Sequence, residues 1–194
     1  MNKINCLYVL LFMIMLNTAC TKESQSLTAS ASDQSSVAQT YFIGEHFGGG
    51  IIFYVDASGR HGIIAATDDF EEPASWSRKD TLNGALSAKL GAGYSNSNNI
   101  YRTQGNPENE ADDYAALECV QLIENGYNDW YLPSKNELQI MYLRKNIIGN
   151  FKPFAYWSST EKNTSTAWYQ NFGNGNLVTE LKTASYSIRP VRYF

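Results

Sequence analysis

Two short apolar runs lie close together near residue 50 of the chain. Residues 51–55 are almost wholly apolar, residues 56–59 form an Asp-Ala-Ser-Gly segment, and residues 61–66 are again mainly apolar. Two apolar runs separated by a turn that contains Asp and Gly are typical of a β-hairpin. The pattern therefore predicts a hairpin at the start of a folded region that begins near Tyr41.

The middle of the chain is organised by residues 128–138, a short extended piece that leads into a helix. Ser134 and Glu137 have the spacing of a capping box, in which each side chain binds the backbone N–H group of the other residue. The helix is expected to begin at Ser134, to place Leu138, Met141 and Tyr142 on one apolar face and to end before residue 149.

Three further predictions concern residues 82–126. A short helix is expected over residues 82–90, and the small polar residues 91–99 are expected to form a loop. A longer helix is expected to open at Pro107, since proline suits a first turn, and to end at Gly126. Its apolar face is formed by Ala111, Ala115, Cys119 and Leu122.

The last forty residues read as an antiparallel meander. Four strands are predicted, over residues 156–161, 167–172, 176–182 and 186–193, with Pro190 marking an edge or a bulge in the last one. The predicted class is α+β: an N-terminal β-hairpin, two helices and a C-terminal antiparallel sheet that returns the chain's end to its beginning.

The first 39 residues have a different composition. Lys3 precedes an apolar stretch over residues 7–16, and Asn17-Thr18-Ala19 then leads to Cys20, which is the layout of a secretory signal. The segment from Leu16 to Cys20 resembles the lipobox of bacterial lipoproteins, although Asn17 occupies the position usual for leucine. We expect a signal peptide over residues 1–19, a lipidated Cys20, a polar tether to residue 39 and a folded domain over residues 40–194. Ordinary cleavage, with Cys20 unmodified, is the alternative.

The distribution of charge argues against nucleic-acid binding and raises the hypothesis of a cationic surface late in the chain. Without residues 1–19 the chain carries 14 basic and 19 acidic side chains, and a net charge of −5 argues against general binding of nucleic acid. Residues 40–129 carry a net charge of −9 and residues 130–194 a net charge of +5. The late cations that define a possible polyanion surface are Lys135, Arg144, Lys145, Lys152, Lys182, Arg189 and Arg192.

Several ordered motifs together resemble one known family. They are the segments at residues 49–56, 61–62, 115–119, 129–134, 156–161 and 188–192. The resemblance is to the domain family named after the C-terminal domain of the Legionella collagen-like adhesin, which is common in bacterial surface lipoproteins. The family has a C-type-lectin-like fold related to the sulfatase-modifying, formylglycine-generating group, whose helix start is similar to residues 131–137.

The resemblance implies a binding or adhesion module that recognises a glycan or a surface protein. It also implies a place on the bacterial outer membrane, facing either the periplasm or the outside. An enzyme on the formylglycine-generating scaffold and a structural subunit of a surface assembly are the alternatives. The enzyme would need a pair of reactive cysteines late in the chain, and there is none after Cys119.

Individual residues give little sign of chemistry. Cys119 lies on an apolar helix face and is expected to be a buried, inert thiol, while His46 and His61 lack partners at metal-ligand spacing. No catalytic residue, metal or cofactor is therefore expected. Calcium is the one alternative, through oxygen atoms of Asn106, Glu108, Asn109, Glu110, Asp112 and Asp113. Trp130 and Trp157 are expected in the core, and either Trp168 or Tyr169 should face outward; the alternative is that Trp76, Trp130, Trp157 and Trp168 form a platform on which sugars stack.

Overall fold

The computed structural model describes residues 39–108 and 113–194, and within them the chain forms nine strands and four helices. The strands are β1 (His46–Phe47), β2 (Gly50–Val55), β3 (Gly62–Ala65), β4 (Ala74–Ser75), β5 (Ala155–Glu161), β6 (Thr166–Asn171), β7 (Leu177–Leu181), β8 (Ser185–Tyr186) and β9 (Val191–Tyr193). The helices are α1 (Gly93–Gln104), α2 (Ala115–Gln121), α3 (Lys135–Leu143) and α4 (Lys145–Ile148). The predicted fold class is confirmed: the chain is α+β, with an N-terminal hairpin and a C-terminal antiparallel sheet.

The largest sheet joins the two ends of the described domain. Its strand order is β1-β2-β3-β9, and all neighbouring strands are antiparallel. The predicted hairpin is β2 and β3, and its turn is closed by the backbone N–H of Asp56, which donates to the carbonyl of His61 at 2.8 Å. Because β9 pairs with β3, the chain's end returns to its beginning, as predicted.

The late strands form a second sheet with the order β5-β6-β7. The single strand predicted over residues 186–193 is divided instead: β8 pairs with β4 and β9 pairs with β3. Pro190 lies between the two pieces, where its missing N–H group costs neither sheet a hydrogen bond. The expected interruption at this proline is therefore a switch from one sheet to another.

The helix after residue 134 begins as the sequence predicts. The Ser134 hydroxyl accepts from the Glu137 backbone N–H at 3.3 Å, and the Glu137 carboxylate accepts from the Ser134 N–H at 2.7 Å, which completes the capping box. Ser134 also donates to the Lys89 carbonyl at 2.8 Å. The cap therefore fastens the start of α3 to the loop before α1.

The predictions for residues 82–126 were partly wrong. Residues 82–90 form no helix, and the helix lies instead at α1, over residues predicted as a loop. Ser97 explains the difference, because its hydroxyl accepts from the Leu132 N–H at 3.0 Å and its side chain is fully buried. A polar helix is thus stabilised by tertiary hydrogen bonds that a local pattern does not contain.

Helix α2 begins at Ala115 rather than at Pro107, after an extended Tyr114, and it ends at Gln121 rather than at Gly126. Ala111, predicted on its apolar face, lies outside the described residues. Cys119 is buried in α2 as expected, and burial raises the pKa of its thiol well above the ordinary value. An un-ionised, inaccessible thiol is a poor nucleophile.

The core has two main clusters, one on either side of β5. One surrounds Trp76, Trp157 and α2, and the other surrounds Phe53, Tyr131 and α3. A smaller cluster holds Trp130 against Ile52 and Ile64 on the other face of the hairpin. Trp130 and Trp157, which were predicted to be in the core, are buried there, and so is Trp76.

Candidate binding groove

A groove of about 400 Å³ opens at the turn end of the β2–β3 hairpin. It is open and shallow, and its walls are mainly apolar and aromatic, which is the usual composition of a small-molecule or sugar site. It is lined by Tyr54, Asp56, His61, Gly62, Ile63, Leu90, Gly91, Tyr193 and Phe194.

The strand register places the aromatic side chains in a row. Tyr54 on β2 is the cross-strand partner of Ile63 on β3, and Ile63 is in turn the partner of Tyr193 on β9. Directly opposed residues of antiparallel strands lie on the same face of a sheet. Two tyrosines therefore flank one isoleucine across three adjacent strands.

A β-bulge brings Tyr54 to this face. The register of β2 against β3 passes from Ile52↔Ile64 directly to Tyr54↔Ile63, so Phe53 is an extra residue on β2. Without the bulge, Tyr54 would follow the alternation of Ile52, which packs in the cluster around Trp130 on the opposite face. With it, Phe53 and Tyr54 both pack against the cluster around Tyr131.

Gly62 lets the aromatic residues approach each other closely. A Cβ atom at this position would overlap the Tyr54 carbonyl oxygen and would lie 2.7 Å from the Phe194 ring. The Gly62 and Phe194 backbones also exchange two hydrogen bonds of 3.2 Å. Only glycine fits at this corner, and Phe194 closes the groove over it.

Two tyrosines with buried hydroxyls stack at the inner side of the groove. Tyr193 lines the groove, and the ring of Tyr131 lies 4.9 Å from the Tyr193 ring. Burial raises the pKa of both phenols, and the nearby Glu137 carboxylate raises them further. Both tyrosines therefore stay neutral at physiological pH.

Glu137 supports the inner side of the groove. Its carboxylate accepts from the Gly91 N–H at 2.8 Å as well as from Ser134, and it is fully buried. Burial raises its pKa, while hydrogen bonds from Ser134 and Gly91 act in the opposite direction. The residue that caps α3 thus also fixes Gly91 at the wall of the groove.

The polar groups of the rim are Asp56 and His61. The Ser58 hydroxyl donates to the Asp56 carboxylate at 2.6 Å and the Ser58 N–H at 3.0 Å, which lowers the pKa of Asp56. His61 is exposed. Because Ser58 already donates to it, the Asp56 carboxylate can accept a further hydrogen bond from a ligand but is a weak proton acceptor for catalysis.

Comparison with known proteins assigns the family. The family model for the Lcl C-terminal domain matches residues 65–192 of the chain. The chain belongs to the Lcl C-terminal domain family. The resemblance inferred from the motifs is therefore confirmed, and the matched region includes α1 to α4, the strands from β4 to β8 and the first two residues of β9.

A solved structure with some likeness to this Lcl C-terminal domain is a fimbrial protein from Bacteroides ovatus. The two chains share 16% sequence identity with a TM-score of 0.48, and the likeness covers 73% of this chain and 43% of the other. The chain thus spans less than half the length of that protein. None of the curated proteins matches the chain.

The late cations of this Lcl C-terminal domain do not form one exposed surface. Among the described residues, Lys182 pairs with Glu161 at 2.9 Å, Arg189 with Asp69 at 2.7 Å and Arg192 with Asp129 at 2.6 Å. Those three cations are buried. Lys145 donates to the Phe172 carbonyl at 2.7 Å, and Arg144 donates to the Phe53 carbonyl.

Three other cavities are lined by charged residues. One of about 280 Å³ lies beside Lys145 and Lys152. Another, of about 190 Å³, is lined by Asp68, Asp69, Glu71 and Glu124, and burial together with Asp68 raises the pKa of Glu124. The third, of about 500 Å³, is larger than the groove and is lined mainly by polar residues, among them Glu108, Asp113 and Glu118. None of the three has the groove's row of aromatic side chains on adjacent strands.

The residues of the calcium alternative lie away from the groove. Asn109, Glu110 and Asp112 are outside the described residues, as is Cys20, the expected lipidation site. Asn106, Glu108 and Asp113 are described, and together they line a separate cavity of about 500 Å³. Within the described part of the chain, no group of three or more His, Cys, Asp or Glu side chains is placed to hold a metal ion.

The outward aromatic residue of β6 is Trp168. Tyr169 packs between Trp157 and Tyr186, whereas Trp168 lies on the opposite face with the Lys135 ammonium 3.6 Å from its ring centroid. The two side chains lie on opposite faces, as alternation predicts, and both are partly buried.

The sequence did not indicate the groove. Tyr54 and Ile63 were read only as hairpin residues, and His61 only as a residue beside the turn. No local signal marked the bulge, because residues 51–55 form a continuous apolar run without an alternation that Phe53 could interrupt. The contribution of Leu90 and Gly91 depends on tertiary packing, which no local pattern contains.

Proposed function

We propose that this protein is a lipid-anchored binding module of the bacterial cell envelope that recognises a glycan or a surface protein and catalyses no reaction. Membership of the Lcl C-terminal domain family supports a surface adhesion module. The single observation that favours binding at a defined place is the groove with its row of Tyr54, Ile63 and Tyr193.

The groove favours a neutral glycan over a polyanion. Sugar rings combine apolar C–H faces with hydroxyl groups, so they suit aromatic side chains flanked by a few polar groups. Tyr54, Tyr193 and Phe194 supply the rings, and Asp56 and His61 supply the polar groups. No lysine or arginine lines the groove, and three of the late cations are engaged with acidic partners.

The same geometry argues against the enzyme alternative. A catalytic site needs titratable groups that converge on one point, with pKa values suited to proton transfer. Here Tyr131 and Tyr193 are held neutral, Asp56 is held by Ser58, and the Glu137 carboxylate is bound by two backbone N–H groups. A shallow aromatic surface is better suited to binding than to chemistry.

Anchoring is proposed from the sequence. Within the described residues no helix is long and apolar enough to cross a membrane. A lipid on Cys20, with more than one acyl chain, would hold the domain at the outer membrane through the polar tether. Labelled fatty acid should enter the wild-type protein and should be absent from Cys20→Ala; equal labelling of both proteins would contradict the anchor.

The test of the groove is a glycan array with the full chain and two variants. Tyr54→Ala removes a ring of the groove, whereas Phe154→Ala removes an exposed aromatic residue that does not line it. Losing the buried contact of one large apolar side chain costs about 1.5–3 kcal/mol, or roughly 10- to 100-fold in affinity. Neutral-sugar binding should weaken by that factor in Tyr54→Ala and should persist in Phe154→Ala.

Two other results would be informative. Sulfated hits that weaken as salt rises, and that are unaffected by Tyr54→Ala, would refute the groove and favour a polyanion surface. Binding to a surface protein that is lost in Tyr54→Ala would keep the groove as the site and change the class of ligand.

A further inference from the structure

Four buried polar side chains meet where β5 and β7 end. They are Lys182, Glu161, Asn83 and Gln104, and each is no more than 5% exposed. The Lys182 Nζ donates to Glu161 Oε2 and to the Thr81 carbonyl, both at 2.9 Å. Asn83 Nδ2 donates to the same two oxygen atoms, at 3.3 and 2.9 Å. The amine nitrogen of the lysine is therefore held beside the amide nitrogen of the asparagine.

The hydrogen bonds fix how the two amides are turned. Gln104 Oε1 accepts from the Arg78 N–H at 3.2 Å and the Lys79 N–H at 2.9 Å, so this atom must be the oxygen. Its Nε2 therefore faces Asn83 and donates to Oδ1 at 2.8 Å. With its oxygen directed at Gln104, Asn83 must turn its nitrogen towards Glu161.

This arrangement contains each part needed for transfer of an acyl group to an amine. Lys182 is a potential nucleophile, Asn83 Cγ is the acyl carbon, and Nδ2 is the leaving nitrogen. Glu161 can carry protons between the two nitrogen atoms. Gln104 donates to the oxygen that becomes negative in the tetrahedral intermediate, which is the role of an oxyanion hole.

We propose that Lys182 and Asn83 become joined by an amide bond between Lys182 Nζ and Asn83 Cγ. The Lys182 ammonium first passes a proton to Glu161, and the free amine attacks Cγ. Glu161 gives that proton to Asn83 Nδ2 and takes a second proton from the attacking nitrogen, so that Nδ2 leaves as ammonia. The ammonia takes the remaining proton from Glu161 and departs as ammonium. One C–N bond forms and one breaks, nothing is oxidised or reduced, and Glu161 is regenerated as a carboxylate.

The first step is the slow one. Lys182 is fully buried, and its Nζ lies 4.6 Å from the centroid of the Trp76 ring. Burial acts to raise the pKa of Glu161, but hydrogen bonds from Lys182 and Asn83 outweigh that effect and lower it. The pair therefore starts out ionised, and the proton transfer that frees the amine is uphill. The bond should form slowly, once, after folding.

The link would connect distant parts of the domain. Lys182 directly follows β7, at the edge of the late sheet, and Asn83 lies in the loop before α1. A covalent bond between them would prevent this edge from separating from the loop.

Peptide mapping of the purified full chain tests the proposal. Trypsin cleaves after lysine and arginine, although poorly before proline, and a modified Lys182 is not cleaved. The bond predicts residues 80–89 joined to residues 163–192, with a mass equal to the sum of the two peptides less one ammonia. Finding the two regions only as separate, unmodified peptides would overturn the proposal, whatever happens to any variant.

Two variants test the role of Glu161. Glu161→Gln removes the proton carrier with little change of shape, whereas Glu180→Gln changes a partly exposed residue of β7 outside the cluster. The joined peptide should be absent from the first variant and present in the second. A joined peptide in a folded Glu161→Gln protein would refute the role given to this carboxylate.

A competing reaction is distinguished by the same map. Asn83 precedes Gly84, a pair that can lose ammonia by closing a succinimide on its own backbone. That product would have the same mass deficit within residues 80–89 alone, and Lys182 would be cleaved normally. This outcome would overturn the cross-link.

Discussion

The guanidinium of Arg189 fastens the last segment of the chain to two loops. Its Nε donates to Asp69 Oδ1 at 2.7 Å, and its other nitrogen atoms donate to the backbone carbonyls of Ala66, Thr67, Gly149 and Asn150. The residue is 1% exposed. Replacement by methionine keeps an apolar chain of similar length and removes every one of these donors.

The expected loss of stability in Arg189→Met comes from the buried Asp69 carboxylate that is left without its cation. Asp69 would keep the hydrogen bond from the Tyr156 hydroxyl, at 2.6 Å, and would lose its only cationic partner among the described contacts. Breaking a buried ion pair on one side typically costs about 3–5 kcal/mol, because a charge stays buried without compensation. For a domain of this size the midpoint of thermal unfolding falls by about 2–4 °C per kcal/mol, so Arg189→Met should lower it by roughly 6–20 °C.

The assay is chemical and thermal unfolding of the full chain, followed by circular dichroism, with Arg102→Met as the control. Arg102 is an exposed residue of α1, and its replacement should change stability by less than about 0.5 kcal/mol. The double variant Arg189→Met/Asp69→Asn should recover part of the loss, since it removes the uncompensated charge. A loss below about 1 kcal/mol in Arg189→Met, or no recovery in the double variant, would refute this account of the pair.

Three further predictions concern the helix cap and the buried titratable groups. Ser134→Ala should cost about 1 kcal/mol of unfolding free energy through the lost cap, and an unchanged thermal midpoint would contradict it. Burial raises the pKa of Glu137 above its ordinary 4.5. The stability that comes from its bound proton is therefore fully present below pH 4.5 and is lost as the pH rises through the pKa of the folded state. Glu137→Gln should remove this fall in unfolding free energy with rising pH. Cys119 should not react with a thiol reagent until the chain unfolds, and rapid labelling of the native protein would show that it is accessible.

Local patterns predicted those elements whose hydrogen bonds are local. The β2–β3 hairpin follows from two apolar runs and a turn, and the start of α3 follows from Ser134 and Glu137, which satisfy each other within one turn. Helix α1 was missed for the opposite reason. Its polar residues are stabilised by long-range bonds, such as that between Ser97 and Leu132, which are 35 residues apart in sequence.

The groove was missed because a single bulge decides it. Alternation along β2 places Tyr54 on the face of Ile52, and the extra residue Phe53 reverses that assignment. A one-residue change of register moves a side chain from one face of a sheet to the other. A sequence can show that both residues are aromatic, but the position of the bulge depends on how β3 pairs.

The contrast in charge between the two halves of the chain is largely a feature of the fold. Arg189 and Arg192, late cations on either side of Val191, pair with Asp69 and Asp129 from the acidic half. Because β9 pairs with β3 of the N-terminal hairpin, the fold brings these late arginines next to acids from the first half of the chain. Charge that is neutralised inside the domain is not available to a ligand outside it. Recognition should therefore depend on the shape and aromatic faces of the groove, and binding there should be nearly independent of ionic strength.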